Sequence, residues 1–293
     1  MASREGSRLS RVRAYLELVK FQHTVFALPF ALTAALVSAG GLPDTATLGW
    51  ILLAMVSART AAMGFNRIVD RHFDALNPRT AQRELPTGRV TVVQAALLVM
   101  ITSALFVYAA HRLNQVAFRL SVPTLLVLFG YSFCKRFTSL SHFVLGFALG
   151  LAPIGAWVAV RGAVELTPVL LGASVLFWVA GFDVIYATLD AEFDAQAGLH
   201  SLVQRFGVER ALAAARRCHM GFIVLLMAFG FQGELGTAFY LGVVVIALFL
   251  RFEHRLVSAT DLRKVNTAFF TVNGAISLAV LVTVAFDLSL RRN

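Results

Sequence analysis

The chain has 293 residues, 58% hydrophobic and only 14% charged, with 26 Lys and Arg against 16 Asp and Glu for a net charge of +10. Soluble domains average about 45–50% apolar and about 25% charged residues, so this composition excludes an ordinary soluble domain and indicates a membrane protein. Cys134 and Cys218 are too few and too far apart for a disulfide framework or a cysteine metal site. A basic surplus in such a chain belongs to cytoplasmic loops and anionic lipid, so nucleic acid is not an expected partner.

The N-terminus carries Arg4, Arg8, Arg11 and Arg13 ahead of a long apolar stretch interrupted by Pro29. It has no small-residue cleavage site and reads as a retained first span. Lys20 and His23 flank its start, and His23 reads as a histidine satisfied by local partners. Apolar windows of about 20 residues predict nine helices: Phe21 to Ala39, Leu48 to Phe65, Val92 to Ala110, Gln115 to Phe133, Leu140 to Val160, Pro168 to Leu189, Ala211 to Phe231, a short Thr237 to Leu250, and Asn266 to Phe286. Gly40 to Asp44, Arg161-Gly162 and Gly233-Glu234 are turns by composition.

An odd number of spans puts the termini on opposite sides. With the N-terminus in the cytoplasm, 20 of the 26 Lys and Arg residues fall inside. Only Arg112, Arg119, Arg161, Arg291 and Arg292 lie outside, and Arg59 lies within the second helix. That asymmetry supports both the span count and the orientation.

Charge is densest from Asn66 to Arg89, directly after the second apolar run. Asn66, Asp70 and Asp74 recur every four residues, which stacks an amide and two carboxylates on one helical face. Hard oxygen ligands of this kind suit Mg2+ bridging to substrate phosphates. Arg79 and Arg83 could hold phosphate oxygens through forked hydrogen bonds. The alternative is a solvated helix end in which Arg67 and Arg71 merely pair with the aspartates. Asp183, Asp190 and Asp194 form a second cluster, and D-x-x-F-D-A occurs both at Asp70 and at Asp190. Both copies follow an apolar helix on the same side, so they are expected to face each other across one cavity and hold two Mg2+ ions around a diphosphate.

Tyr131 and Lys135 lie four apart at the end of the fourth helix, where they could reach a diphosphate oxygen or simply anchor the helix. Arg59, a costly charge inside an apolar helix, is a candidate for a substrate carboxylate. Gly146 and Gly150 form a G-x-x-x-G, a helix-packing face or a groove for a lipid chain. Asn266, Asn273 and Ser277 are expected to tie helices together. The loops Ala75 to Thr91 and Ala195 to Glu209 are expected to cap the site.

These residues resemble the UbiA superfamily of intramembrane aromatic prenyltransferases over nearly the whole chain. The carrying motifs are N-x-x-x-D-x-x-x-D with R-T-x-x-R and L-P-x-G (Asn66, Asp70, Asp74, Arg79-Thr80, Arg83, Leu85-Pro86, Gly88), D-x-x-x-D (Asp190, Asp194, with Asp183 upstream) and Y-x-x-x-K (Tyr131, Lys135). The resemblance implies an all-α polytopic bundle of nine transmembrane helices around a central cavity, one domain over residues 1–293, in a bacterial inner membrane. It also implies Mg2+-dependent transfer from a polyprenyl diphosphate to an aromatic hydroxy acid in quinone biosynthesis. The chain is similar to members that act on 4-hydroxybenzoate. Arg83-Glu84-Leu85-Pro86 departs from their common R-P-L-P, and Gly181 to Ala187 resembles a branch of the futalosine route to menaquinone, which would make the acceptor a dihydroxynaphthoate.

On this reading Asp70 and Asp74 hold one Mg2+, and Asp190 and Asp194 the other. Asn66, Arg79, Arg83, Tyr131 and Lys135 bind the diphosphate, Asp183 takes the phenolic proton, and Arg59 binds the acceptor. A transporter is the rival from another class, but its ligands would sit near the midplane on broken helices, not beyond the apolar runs at one face. A structural quinone-binding subunit would not need two carboxylate clusters.

Overall fold

The structure, a computed structural model, describes Tyr15, Glu17, Leu18 and residues 24–291. Lys20, His23, Arg292 and the arginines at 4, 8, 11 and 13 lie outside the described residues. Among the described residues every extended element is helical: α1 (Thr24–Ala39), α2 (Thr45–Leu76), α3 (Val92–Leu113), α4 (Gln115–Gly130), α5 (Ser141–Arg161), α6 (Leu166–Ala187), the short α7 (Ala191–Gln196) and α8 (Leu202–Phe206), α9 (Val208–Gln232), α10 (Thr237–Leu256) and α11 (Asn273–Leu290). Turns of 3-10 helix at Tyr131–Arg136 and Thr188–Asp190 prolong α4 and α6, and a π turn at Thr267–Val272 leads into α11. Eight of these units are long and apolar enough to cross a membrane, and α1 adds a shorter apolar helix from Phe26 to Ala39. The nine expected spans are therefore all represented.

Their bounds differ where apolarity and helicity part company. α2 has 32 residues, ~48 Å at 1.5 Å per residue, against a hydrocarbon core of about 30 Å. The stretch after Phe65 contains neither Gly nor Pro, so nothing stops the helix where the apolar run stops. Asn66 to Asp74 is thus a rigid extension of a span. α10 likewise runs to Leu256 and is not short. Its polar end is tolerated because buried Glu253 accepts from Asn273 Nδ2 at 2.7 Å, the expected tie between helices. Ser277 donates to Gly274 within its own helix. Asn114 alone joins α3 to α4, ending one helix and capping the next by accepting from the Ala117 N–H at 2.9 Å.

α6 packs between α5 and α9, α1 against α5 and α11, and α2 against α3. Fully buried Trp178 of α6 meets Phe182 edge-on at 4.9 Å and Phe26 at 6.3 Å, a geometry aromatic pairs favour. Lipid tails give helices no hydrophobic reason to associate, so close backbone approach carries much of the packing. The G-x-x-x-G is such an approach: a Cβ on Gly146 would lie 2.3 Å from the Leu176 carbonyl oxygen, and one on Gly150 2.5 Å from that of Gly172. Gly150→Ala is therefore expected to destabilise the protein by about 1–3 kcal/mol, as overpacked cores are, seen as a lower Tm in detergent. An unchanged Tm would show that α5 and α6 are not in backbone contact there.

Candidate active site

The first cluster stands on the polar extension of α2. Asn66 Nδ2 donates to Asp70 Oδ2 at 2.8 Å and reaches Ser132 Oγ at 3.5 Å. Asp74 is buried and accepts from Arg83 Nη1 at 2.6 Å, with Arg67 Nη1 4.0 Å away. The Thr80 hydroxyl donates to the Asp74 carbonyl at 3.0 Å. Asn77 Oδ1 accepts from the Arg79 N–H at 2.9 Å, an Asx turn that folds the following loop back over the motif. Arg71 pairs with the Ile68 carbonyl rather than with an aspartate.

The second cluster, unlike the first, is not one continuous helical face. α6 ends at Ala187, a 3-10 turn spans Thr188–Asp190, and Asp190 immediately precedes the short α7 that carries Asp194. The Thr188 hydroxyl takes the Ile185 carbonyl oxygen at 2.7 Å, back-bonding of the kind that bends helices. The kink leaves Asp190 facing the first loop. Arg79 Nε donates to Asp190 Oδ1 at 2.8 Å while its Nη2 pairs with the other oxygen. Arg79 Nη1 donates to the Tyr186 hydroxyl at 2.8 Å, and Asn77 Nδ2 reaches Asp190 Oδ1 at 3.1 Å. Burial opposes the charge of Arg79, but the hydrogen bond and charge of Asp190 outweigh it and hold the guanidinium above its ordinary pKa.

Tyr131 and Lys135 lie on a 3-10 turn, where three residues per turn do not stack positions four apart. Both nonetheless line the same chamber. Lys135 Nζ is 3.7 Å from Asp194 Oδ2, and Arg136 Nη2 is 3.6 Å from Asp70 Oδ1. Asp70, Asp74, Asp190 and Asp194 thus each have a basic partner within 4.0 Å. All four, with Asn66, Arg79, Arg83 and Asp183, line one polar chamber of about 190 Å³.

A second, larger cavity of about 580 Å³ adjoins it, and Asn66, Arg83, Tyr131, Asp183 and Tyr186 line both. Its remaining wall is largely apolar, including Ile51, Met55, Met63, Leu128, Leu149 and Phe269. Arg59 is an exception. It lines this cavity, and among the described residues its buried Nε has no hydrogen-bond partner. Asp183 stands at the junction, its Oδ2 2.6 Å from Nδ1 of fully buried His142.

The aspartates fit a hard divalent cation. Among the described residues buried Asp74 Oδ2 and Asp194 Oδ2 accept no hydrogen bond and face Arg67 Nη1 at 4.0 Å and Lys135 Nζ at 3.7 Å, so each pair has a carboxylate oxygen that a cation could engage. Among the described residues no three His, Cys, Asp or Glu form a protein-only metal cage. Mg2+ needs none, since it usually takes one or two carboxylates and fills the remaining positions with water and substrate phosphate.

Sequence reasoning missed Asn77, which ties the two clusters together, and the Tyr186 contact to Arg79. It also missed His142, which has no periodic relation to Asp183 and is brought to it by the packing of α5 on α6. A lone histidine in an apolar segment was the one available signal.

Residues 27–275 match the UbiA prenyltransferase family. The chain is 31% identical over 285 residues to the 4-hydroxybenzoate octaprenyltransferase of Vibrio cholerae serotype O1, covering 94% of this chain and 98% of that protein. A UbiA homolog from Aeropyrum pernix K1, solved without ligand, superposes with a TM-score of 0.79 at 32% identity over 92% of this chain and 98% of its own. A UbiA homolog from Archaeoglobus fulgidus, solved with DMAPP and Mg2+, shares the fold with a TM-score of 0.75 at 22% identity, covering 94% of this chain and 99% of its own. Shared motifs, membrane-length helices and these likenesses identify the chain as a multi-pass integral membrane prenyltransferase of the UbiA family.

Proposed function

We propose that the protein transfers a polyprenyl group from a polyprenyl diphosphate to the ring carbon ortho to the hydroxyl of 4-hydroxybenzoate, in quinone biosynthesis. The observation that carries this reading is the junction of two unlike spaces: a chamber with four aspartates and their basic partners opening onto an apolar cavity with one unpaired arginine. The first suits a metal-bound diphosphate, and the second an isoprenoid chain and an aromatic acid. The charge distribution favours a bacterial inner membrane with the N-terminus and this chamber on the cytoplasmic side.

Asp70 with Asp74, and Asp190 with Asp194, would hold Mg2+, which when bound neutralises charge developing on a diphosphate leaving group. Asn66, Arg79, Arg83, Tyr131 and Lys135 bind and orient the diphosphate, the arginines turning from their aspartates to phosphate oxygens. The allylic C–O bond breaks with its electron pair leaving on the diphosphate. Asp183 takes the phenolic proton and so raises the electron density of the ring. The ortho carbon bonds to the allylic carbon, its own proton passes to the ring oxygen as aromaticity returns, and the proton on Asp183 departs with the diphosphate. Apolar walls keep water from capturing the allylic cation. Arg59 holds the acceptor's carboxylate.

A second reading, prenylation of a dihydroxynaphthoate, is favoured by the Gly181 to Ala187 segment and by Glu84 in place of proline. Both acceptors are phenols bearing a carboxylate. Purified protein given labelled prenyl diphosphate, Mg2+ and each acceptor in turn is expected to yield a C-prenylated product from one of them. Chelation should abolish turnover, and restored Mg2+ should recover it. Prenyl diphosphate left intact with both acceptors and excess Mg2+ would overturn the proposal.

A further inference from the structure

We propose that His142 is a positioning residue for this reaction, holding Asp183 so that one carboxylate oxygen is kept for the acceptor's phenolic proton. The inference rests on the reading of Asp183 as the base.

The side chain of Asp183 is 17% exposed and lines both cavities, whereas that of His142 is 0% exposed and lines neither. His142 therefore cannot touch substrate and acts only through what it binds. Its Nε2 faces the Leu202 backbone N–H at 3.5 Å, a long contact in which the ring nitrogen can only accept. That leaves the ring proton on Nδ1, donated to Asp183 Oδ2 at 2.6 Å. An imidazole fixed at one nitrogen directs a defined hydrogen bond from the other. Among the described residues Asp183 Oδ1 has no protein hydrogen bond, so it is the oxygen available to the acceptor. A carboxylate on a single-bonded side chain would otherwise rotate among the cations of the chamber, which Arg79, Arg83 and Lys135 also line. His142 sits on the first turn of α5, and Leu202 opens α8 in the second capping loop. The base is thereby tied to the cover of the site.

The test compares Asp183→Asn, His142→Ala, His142→Asn and the double variant Asp183→Asn/His142→Ala, as full chains in detergent or nanodiscs. The acceptor is 4-hydroxybenzoate and its more acidic 3-fluoro analogue, or the corresponding naphthoate pair if that ring is the substrate. Loss of a residue that orients a functional group typically costs about 10–100-fold. His142→Ala is expected to lower kcat by about that factor while the prenyl diphosphate KM stays within about twofold. His142→Asn, which keeps an N–H donor, should recover much of the loss. The deficit should shrink on the fluorinated phenol, and the double variant should be no slower than Asp183→Asn alone. Should His142→Ala fail to fold, His142→Phe, which fills the ring's space without an N–H donor, carries the same comparison. Full kcat in His142→Ala beside an impaired Asp183→Asn overturns the role of His142 alone, as do losses that add in the double variant or are equal on both phenols. Full kcat in Asp183→Asn overturns the assignment of the base and this inference with it.

Discussion

Asp70→Asn is expected to lower prenyl transfer by on the order of 10²- to 10³-fold, the usual effect of deleting one preorganised electrostatic group, and to raise the Mg2+ concentration needed for half-maximal turnover. The substitution keeps side-chain shape and removes one anionic metal ligand. Asp70 belongs to no packed core. It is partly exposed, 31% at the side chain, and faces Arg136 at 3.6 Å across the chamber. It also shares its helical face with Asp74, so removing one of two like charges relieves a repulsion. The melting temperature should therefore hold or rise, as when a strained functional site is neutralised. Wild-type turnover of the variant at limiting Mg2+ would remove Asp70 from the metal site. A large fall in Tm would make it a structural residue.

Arg59→Ala is expected to raise the acceptor's KM by on the order of 10²-fold while the prenyl diphosphate KM stays within about twofold. Truncating one partner of a buried, hydrogen-bonded charge pair costs about 2–5 kcal/mol. Among the described residues Arg59 has no such partner: it lines an apolar cavity and its buried Nε is unbonded. A guanidinium held this way within a membrane span costs stability, so the variant is also expected to melt at a higher temperature. Arg59→Lys would restore the charge but not the planar fork, and should recover only part of the affinity. A carboxamide analogue of the acceptor gives an independent check. The wild-type protein should discriminate strongly against it and the alanine variant hardly at all. Loss of donor affinity instead would assign Arg59 to the diphosphate.

Composition and the length of the apolar runs together determined the class and the number of spans, and loop charge carried the expectation that both acidic motifs emerge on one side. Each of these is a local or additive property. Twenty apolar residues have to cross the bilayer wherever they occur, and arginines are counted loop by loop. Asp70 and Asp74 were legible for the same reason, since spacing along one helix fixes a shared face before any packing is known, whereas Asp190 and Asp194 were legible only as a repeat of the same D-x-x-F-D-A string. Helix ends were less legible, because the chain stops being apolar at Phe65 and Leu250 but stops being helical only at Leu76 and Leu256.

Only the tertiary structure decided which cation neutralises which aspartate, that Asn77 and Arg79 of one loop bind Asp190, 113 and 111 residues away, and that the second motif is kinked. It also decided that His142 stands behind Asp183, 41 residues distant in sequence and 2.6 Å distant in space. Such contacts follow from how α5 and α6 approach at Gly146 and Gly150, and from how two loops fold over one chamber. A pairing of that kind leaves no period in the chain, because the distance between two side chains on different helices is set by packing and not by their separation in sequence.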